Sequence, residues 1–551
     1  MRYDYDVIVI GAGNGGLAAA SKLSAAGLKT VVLEKHNLPG GVATSFVRGR
    51  FEFEASLHEL CDVGTEEEPR LVRNLFAGLG SDAAFVNEKN LFRTVVTGPD
   101  GYDVTLESGE DFEKSLVKAC PGCEKSIAKL KKVLANTSEA LKYNDAKNGN
   151  PNKLVMLMRY GKFLISASHS LDDVLRSLGF DRRTRNVLET YWSYLGVPAD
   201  ELNSMHYWEM ARGYINGGAG IPTMKSYGLS LSLADTILKN GGEIRYNTEV
   251  TGLIFDENGR VAGVKAGSDE FFAKETVSNV IPHSVFAMDG RERLPSKDKK
   301  LLNARRLGLS FVCIYAGLDR SAAELGLNDY SVFVAHNSST RRQYENTGKT
   351  IGMYVANCLN VAVPDATPAG TCSLFITVPV FPKSGIFDGV DAANYKKFKS
   401  DFSRKYIADF EKTLRIELLP YIEEISVATP ATFARYFGAP NGTAYGYELS
   451  AWDGVLSRTL NRSNELNVPG LTFCGGHSVN GDGFGVTYTS GVEAAETVIS
   501  RLAAAGISRP AAASISGPAA AGISRPAAAG ISRPAAAPDT LVAKNGGAHE
   551  N

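Results

Sequence analysis

Residues 4–35 read D-Y-D-V-I-V-I-G-A-G-N-G-G-L-A-A-A-S-K-L-S-A-A-G-L-K-T-V-V-L-E-K, and this stretch decides the fold. An apolar strand, Val7 to Ile10, runs into G-x-G-x-x-G at Gly11, Gly13 and Gly16. An alanine-rich helix follows, then a second apolar strand that ends at Glu34, eighteen residues past Gly16. Each part has a task in a dinucleotide site. Gly11 permits the tight turn out of the strand, Gly13 lets the backbone approach a pyrophosphate, and Gly16 lets the helix pack close to the sheet. Ala12, Asn14 and Gly15 complete the loop, and the free amides at the helix start face the diphosphate. Glu34 can accept hydrogen bonds from ribose hydroxyls, while its charge repels a 2′-phosphate and so disfavours NADP. The glycines alone are weak evidence. With 56 glycines in 551 residues, the bare triplet arises by chance roughly once in every two such chains. The flanking strands, the helix and the acid at the right distance supply the specificity.

The next residues separate one dinucleotide from another. Lys35 leads into H-N-L-P-G-G-V-A-T-S-F, where Gly40 and Gly41, followed by Val42, allow a loop to fold back over a bound diphosphate and flavin. A short nicotinamide domain has no need of such a loop. R-G-R-F-E-F-E-A-S-L-H follows, from Arg48 to His58. Here the sequence resembles the flavin-dependent superfamily that includes phytoene desaturases, carotenoid isomerases, retinol saturases and, more distantly, amine oxidases. That resemblance implies FAD as the cofactor. It also implies an α/β fold: a Rossmann-like FAD-binding domain of the glutathione reductase/amine oxidase-like kind, with a mixed sheet plus helical substrate domain.

Distant segments carry the same resemblance. G-G-E-I-R-Y-N-T-E-V resembles the family strand whose valine backbone contacts the adenine, here Val250, and T-V-S-N-V-I-P-H resembles the strand that returns to the flavin domain. Near the C-terminus, V-P-G-L-T-F-C-G-G-H-S-V-N-G-D-G-F-G-V resembles the segment closing the flavin site. It implies a role for Gly475 and Gly476, and it sets Phe484, Gly485 and Val486 at a helix start facing the pyrimidine edge, where the positive end of the dipole stabilises negative charge on the reduced ring. One departure stands out. Gly476 occupies the place of the family's usual acid, so either a backbone group or His477 replaces it, or the flavin is held more loosely.

By the same resemblance, Lys225 and Tyr227 lie close to the ring, and A-T-P-A-T-F-A-R-Y-F-G-A-P-N-G-T-A-Y-G-Y lines a substrate channel with Phe433, Tyr436, Phe437, Tyr445 and Tyr447. Ordinary sheet packing is the alternative for these aromatics. His58 and Glu59 read either as set toward the flavin face, where a histidine can move a proton, or, for His58, as a satisfied structural histidine. His58, Lys225 and His477 are the catalytic candidates. An aromatic cluster of Tyr191, Trp192, Tyr194, Tyr207 and Trp208 reads either as a lipid entry mouth or as core. Lys131-Lys132 and the Arg182, Arg183 and Arg185 group read either as headgroup contacts or as solvated helix faces.

Texture along the chain divides it. The expected FAD-binding domain is discontinuous, over 1–110, 215–290 and 460–502. A helical region over 111–214 and a β-rich part over 291–459 make the substrate domain. From 503 to 551 an eight-residue unit, A-A-A-G-I-S-R-P, recurs with one variant copy. Proline at each repeat stops a helix, and one isoleucine per unit is too little to bury a core, so the tail is expected to be disordered.

Bulk composition narrows the function. With 44% hydrophobic residues and a net charge of −1, nothing draws the chain to nucleic acid. No run of about 18 apolar residues suggests a spanning helix. Neither a signal peptide nor a disulfide framework is expected, since the seven cysteines are scattered. These features favour a cytoplasmic location and leave attachment to a membrane surface open. No metal is expected, because Cys120 and Cys123 lack two further ligands at suitable spacing. The expected activity is an FAD-dependent oxidoreductase acting on carbon–carbon bonds of a hydrophobic polyene or isoprenoid-like substrate by desaturation, saturation or isomerisation. Because no second nucleotide motif is present, reducing equivalents are expected to pass to or from a separate electron donor or acceptor, or to cycle within one substrate as in isomerisation. The alternatives are an amine oxidase-like flavoenzyme and a non-enzymatic escort of prenylated proteins with the same fold.

Overall fold

The computed structural model describes residues 2–507 apart from 148–150, 289, 348, 382–383, 445, 449–465, 467 and 479–482. Two large sheets organise this part of the chain. In the first, Tyr5–Ile10 lies between Thr30–Leu33 and Asp269–Ser278, all parallel, with Glu243–Arg245 and Leu471–Phe473 parallel on the outer sides. Both faces of this sheet are covered, one by helices and the other largely by the antiparallel strands Gly252–Phe255 and Val261–Ala266, which is why its strands are apolar at successive positions. Val7, Ile8 and Val9 are all fully buried. On one face pack the helices Asn14–Ala25, Lys225–Lys239 and Phe484–Ala504. Gly491 lets the last of these lie directly on the first, since a side chain there would collide with the carbonyl oxygen of Gly15. The N-termini of two helices thereby meet at the C-terminal end of the central strand.

The second sheet runs Ile422–Ala428, Ser310–Leu318, Cys372–Val380, Met353–Cys358, Ser331–Ala335, Asn90–Val96 and Tyr102–Glu107. Neighbours are antiparallel except for the parallel pair formed by Ser331–Ala335 and Asn90–Val96. Residues 90–107, grouped by sequence with the nucleotide-binding segment 1–110, thus belong to this sheet. Their partners at 331–335 lie far along the chain, and local pattern carries no information about such pairing. The 20-residue helix Tyr395–Leu414 covers one face of the sheet through Phe402, Tyr406 and Phe410. It falls within the stretch read as β-rich.

The segment 111–217 is helical. Within it, two short helices, Lys153–Arg159 and Gly161–Ser168, are separated at Tyr160 (φ −116°, ψ 33°). The aromatic cluster is core: Tyr191, Trp192, Tyr207 and Trp208 are buried, and Trp192 Nε1 donates to Gln343 Oε1 at 2.7 Å. Of the two readings of that cluster, core holds for these four, while Tyr194 lines a cavity. The basic groups are engaged too. Lys131 pairs with Glu113, Arg182 lies 3.6 Å from Asp100, and Arg185 lies 2.7 Å from Asp172. All seven cysteines are free thiols, and no metal-ligating cluster exists among the described residues. The repeat tail from residue 508 lies outside the described residues.

Candidate functional site

The two sheets enclose one long cavity of about 860 Å³. It begins at the end of strand Thr30–Leu33, where Glu34, Lys35 and Val250 form its wall, passes Gly11, Gly13 and Asn14, and continues under Gly40, Gly41 and Val42. The backbone explains that wall. Gly11 and Gly40 take φ of +88° and +113°, a region that side chains disfavour. At Gly13 an added side chain would strike the Asn279 amide. Glu34 is fixed by two amides: Oε2 accepts from Ala12 N at 2.6 Å and Oε1 from His36 N at 2.8 Å. Each carboxylate oxygen keeps acceptor capacity for a further hydroxyl. Helix Asn14–Ala25 begins at Gly13 with no side-chain cap and no acid in its first turn, so its amides and positive dipole end are unneutralised from within. The helix Phe484–Ala504 starts the same way after Gly483, and its Phe484, Gly485 and Val486 line the cavity. Asn14 Nδ2 donates to Thr487 Oγ1 at 3.2 Å and ties the two helix starts together.

Ala12, Gly15 and Gly16 stand behind this wall rather than in it. Gly15 abuts Gly475, and Gly16 abuts the Gly11 carbonyl, so these positions permit close approach of backbone. Gly475, Gly476 and His477 line the cavity, and His477 is buried, its ring edge-on to Phe473 at 6.0 Å.

Farther along, the cavity widens between His58 and the second sheet. The His58 ring stacks between Tyr194 (5.5 Å, 9°) and Phe375 (5.2 Å, 30°), with Nε2 2.7 Å from Thr377 Oγ1. Burial among these rings disfavours the imidazolium and brings His58 down to about 4. Glu59, next to it, is buried and also lines the cavity. No cation pairs with it among the described residues. Its Oε1 accepts from Tyr194 Oη at 3.1 Å, while Oε2 makes no hydrogen bond among the described residues. Desolvation outweighs the nearby Tyr194 and Tyr191 hydroxyls and pushes its carboxyl up to about 8, so the neutral acid predominates at pH 7. The sequence motif pointed to this position through its neighbour, but nothing local distinguishes a buried glutamate lacking a cation from a solvated one.

Phe433 and Tyr436 lie on the helix Pro430–Phe437 and reach the cavity, with Phe433 stacked on Phe437 at 6.0 Å. Lys225 and Tyr227 do not line it, which corrects their expected place. Lys225 heads the helix Lys225–Lys239 with φ +56°, and its ammonium bonds Glu52 Oε2 at 3.2 Å and the Ala366 carbonyl at 3.1 Å. These bonds hold it against the hairpin Ser45–Arg48 and Phe51–Glu54. Tyr445 lies outside the described residues. Asn279, Cys313 and Thr377 are lining residues that the sequence did not single out. At the far end the wall turns polar, with Asp62 paired to Arg70 and Glu209 paired to Arg212 at 3.1 Å.

Comparison with known proteins agrees with this geometry. A family described as an NAD(P)-binding Rossmann-like domain matches residues 9–77, the glycine loop and its flanks. All-trans-retinol 13,14-reductase of Danio rerio is 24% identical over 90% of this chain and 86% of its own length. Chloroplastic prolycopene isomerase of Daucus carota is 24% identical over 91% and 80%. The neurosporene-forming phytoene desaturase of Rhodobacter capsulatus is 25% identical over 89% and 93%. Along most of its length, the chain is similar to enzymes named for retinoid and carotenoid chemistry. Among solved structures, an oxidoreductase from Methanosarcina mazei superposes with a TM-score of 0.61 at 18% identity, covering 89% of this chain and 99% of that one. Cyclohexylamine oxidase from Brevibacterium oxydans gives 0.58 at 15%, covering 91% and 100%. The likeness to these solved structures fixes the fold, an α/β architecture with a Rossmann-like nucleotide-binding part.

Proposed function

We propose that the protein is an FAD-dependent oxidoreductase acting on carbon–carbon bonds of a hydrophobic polyene or isoprenoid-like substrate. The observation that carries this reading is the single cavity, which starts as a dinucleotide cradle and ends against apolar and aromatic walls. The residues present fit the cofactor. Two uncapped helix starts meet at the glycine loop, Glu34 stands at the ribose end, and Asn14 Oδ1 is buried in the cavity wall with no hydrogen bond among the described residues. Bound there, FAD would supply two-electron exchange with carbon.

The chain's own groups do the rest. The amides of the first turn after Gly13 would hold the diphosphate, and those after Gly483 would face the electron-rich edge of the ring system. Phe433, Tyr436, Leu57 and Phe311 would hold the substrate and exclude water. Neutral His58 can hydrogen-bond but carries no charge into this apolar space. Glu59, neutral at pH 7, can hold a proton at Oε2 and give it during saturation, whereas taking one up during desaturation falls to its carboxylate form, the minor species below pH 8. Contact with a membrane surface, where such substrates partition, belongs to the same reading. The intact glycine loop and Glu34 argue against a non-enzymatic escort, and the match of the relatives along the chain favours carbon–carbon chemistry over amine oxidation.

The test is anaerobic reduction of the purified yellow protein, followed by addition of polyenes, retinoids and unsaturated lipids while flavin reoxidation is followed. Products shifted by the mass of two hydrogens indicate redox chemistry, and unchanged mass with an altered absorption spectrum indicates isomerisation. A colourless protein that takes up no added FAD overturns the reading.

A further inference from the structure

The helix pair Lys153–Arg159 and Gly161–Ser168 is apolar on two sides. On the inner side Met156, Tyr160, Phe163 and Ala167 are buried against Met205 of the helix Ser204–Gly217. On the outer side Leu154, Leu157, Met158 and Ile165 are 63%, 63%, 79% and 52% exposed. The first three of these are the most exposed large apolar side chains among the described residues. One exposed leucine means little, whereas four within twelve residues form a patch that water alone does not favour. Along the pair itself the charge is of one sign, the nearest acids in sequence being Asp145 and Asp172. Between Ala146 and Leu171 the sequence has Lys147, Lys153, Arg159 and Lys162 and no acidic residue. All four of these basic side chains are exposed, and none forms an ion pair among the described residues.

We propose that this face seats the protein on an anionic lipid surface, with Leu154, Leu157, Met158 and Ile165 entering the acyl boundary and the four cations meeting the headgroups. An exposed apolar stripe ringed by lysine and arginine is the chemistry of an interfacial helix. A second copy of the chain is the poorer occupant, because a two-fold contact would bring the same cations face to face. The placement also suits supply of an apolar molecule: helix Ser204–Gly217, on which the pair packs, carries His206, Glu209 and Met210 on the cavity wall. The inference extends the membrane-contact part of the functional reading, yet it stands on the exposed surface and not on flavin chemistry.

Flotation of the full-length flavin-loaded protein with vesicles of equal parts phosphatidylcholine and phosphatidylglycerol tests it, with pure phosphatidylcholine vesicles alongside. Binding is expected to the anionic vesicles and to weaken with salt. The double variant Leu157→Glu/Met158→Glu should lose flotation while keeping its flavin absorbance and far-UV circular dichroism. Lys153→Gln and Lys162→Gln should each lower partitioning roughly five-fold. Equal flotation of the double variant and the wild type, or no flotation of the wild type, overturns the proposal. So does a concentration-dependent dimer that the double variant dissociates, which assigns the face to a second copy. Loss of the flavin reading would leave these outcomes unchanged, since none of them depends on turnover.

Discussion

Replacing Glu59 by glutamine removes a titration while preserving shape. In the folded chain the Glu59 carboxyl is moved from 4.5 to about 8, mainly by desolvation. Above pH 4.5 the unfolded chain releases this proton while the folded chain keeps it, so the folded state binds more protons. Stability contributed by this group is therefore complete below pH 4.5 and is lost as pH rises toward 8. Each unit corresponds to about 1.4 kcal/mol, so from pH 5 to pH 8 the wild type should lose on the order of 4 kcal/mol relative to Glu59→Gln, which does not titrate. Urea unfolding of both proteins at pH 5 and pH 8 measures this as the change in their difference, cancelling groups common to both. Removing the Tyr194 hydroxyl by Tyr194→Phe takes away the 3.1 Å bond to Oε1 and should extend the loss to higher pH, because that bond favours the charged form and its removal raises the carboxyl further. If Glu59 also supplies the proton of the reaction, Glu59→Gln should lower kcat by roughly 10²–10⁴-fold with flavin content unchanged. Parallel pH dependence in wild type and variant would refute the assignment of a neutral buried acid.

Other expectations follow from the same structure. His58, held down to about 4, should stay neutral from pH 5.5 to 8 in its ring proton chemical shifts, and an inflection near 6.5 would contradict its placement between Tyr194 and Phe375. Gly491→Ala forces a methyl group against the Gly15 carbonyl, so it should cost about 1–3 kcal/mol and reduce flavin retention, read from melting temperature and absorbance near 450 nm. Glu34→Ala leaves the Ala12 and His36 amides without their acceptor, and a destabilisation of about 1–3 kcal/mol together with weaker FAD binding in fluorescence titration is expected. By contrast, Lys225→Met should leave the absorption spectrum of the bound flavin unshifted, because that ammonium is held by Glu52 and Ala366 outside the cavity; a shifted flavin band would restore its expected role.

The sequence by itself determined the nucleotide half of the protein. A strand buried on both faces must be apolar throughout, a tight turn beside a phosphate needs glycines at fixed spacing, and the acid must end the next strand, so residues 7–34 are legible as chemistry. Phe484, Gly485 and Val486 were placed by resemblance to a family segment, and the structure sets them on the cavity wall at an uncapped helix start. What only the tertiary structure decided was how distant segments meet. Strands 90–107 join the second sheet through partners more than two hundred residues away, and no periodicity encodes that pairing. Burial decided the charges: Glu59 became a neutral acid because desolvation outweighs its tyrosine hydrogen bonds and no cation pairs with it among the described residues, while Lys225, equally prominent in the sequence, was turned aside by Glu52. Packing likewise buried Trp192 and its aromatic neighbours and left Leu154, Leu157, Met158 and Ile165 exposed. Hydrophobicity is written in a residue, but whether that residue faces a neighbour or the solvent is settled by the packing of elements that the local sequence does not contain.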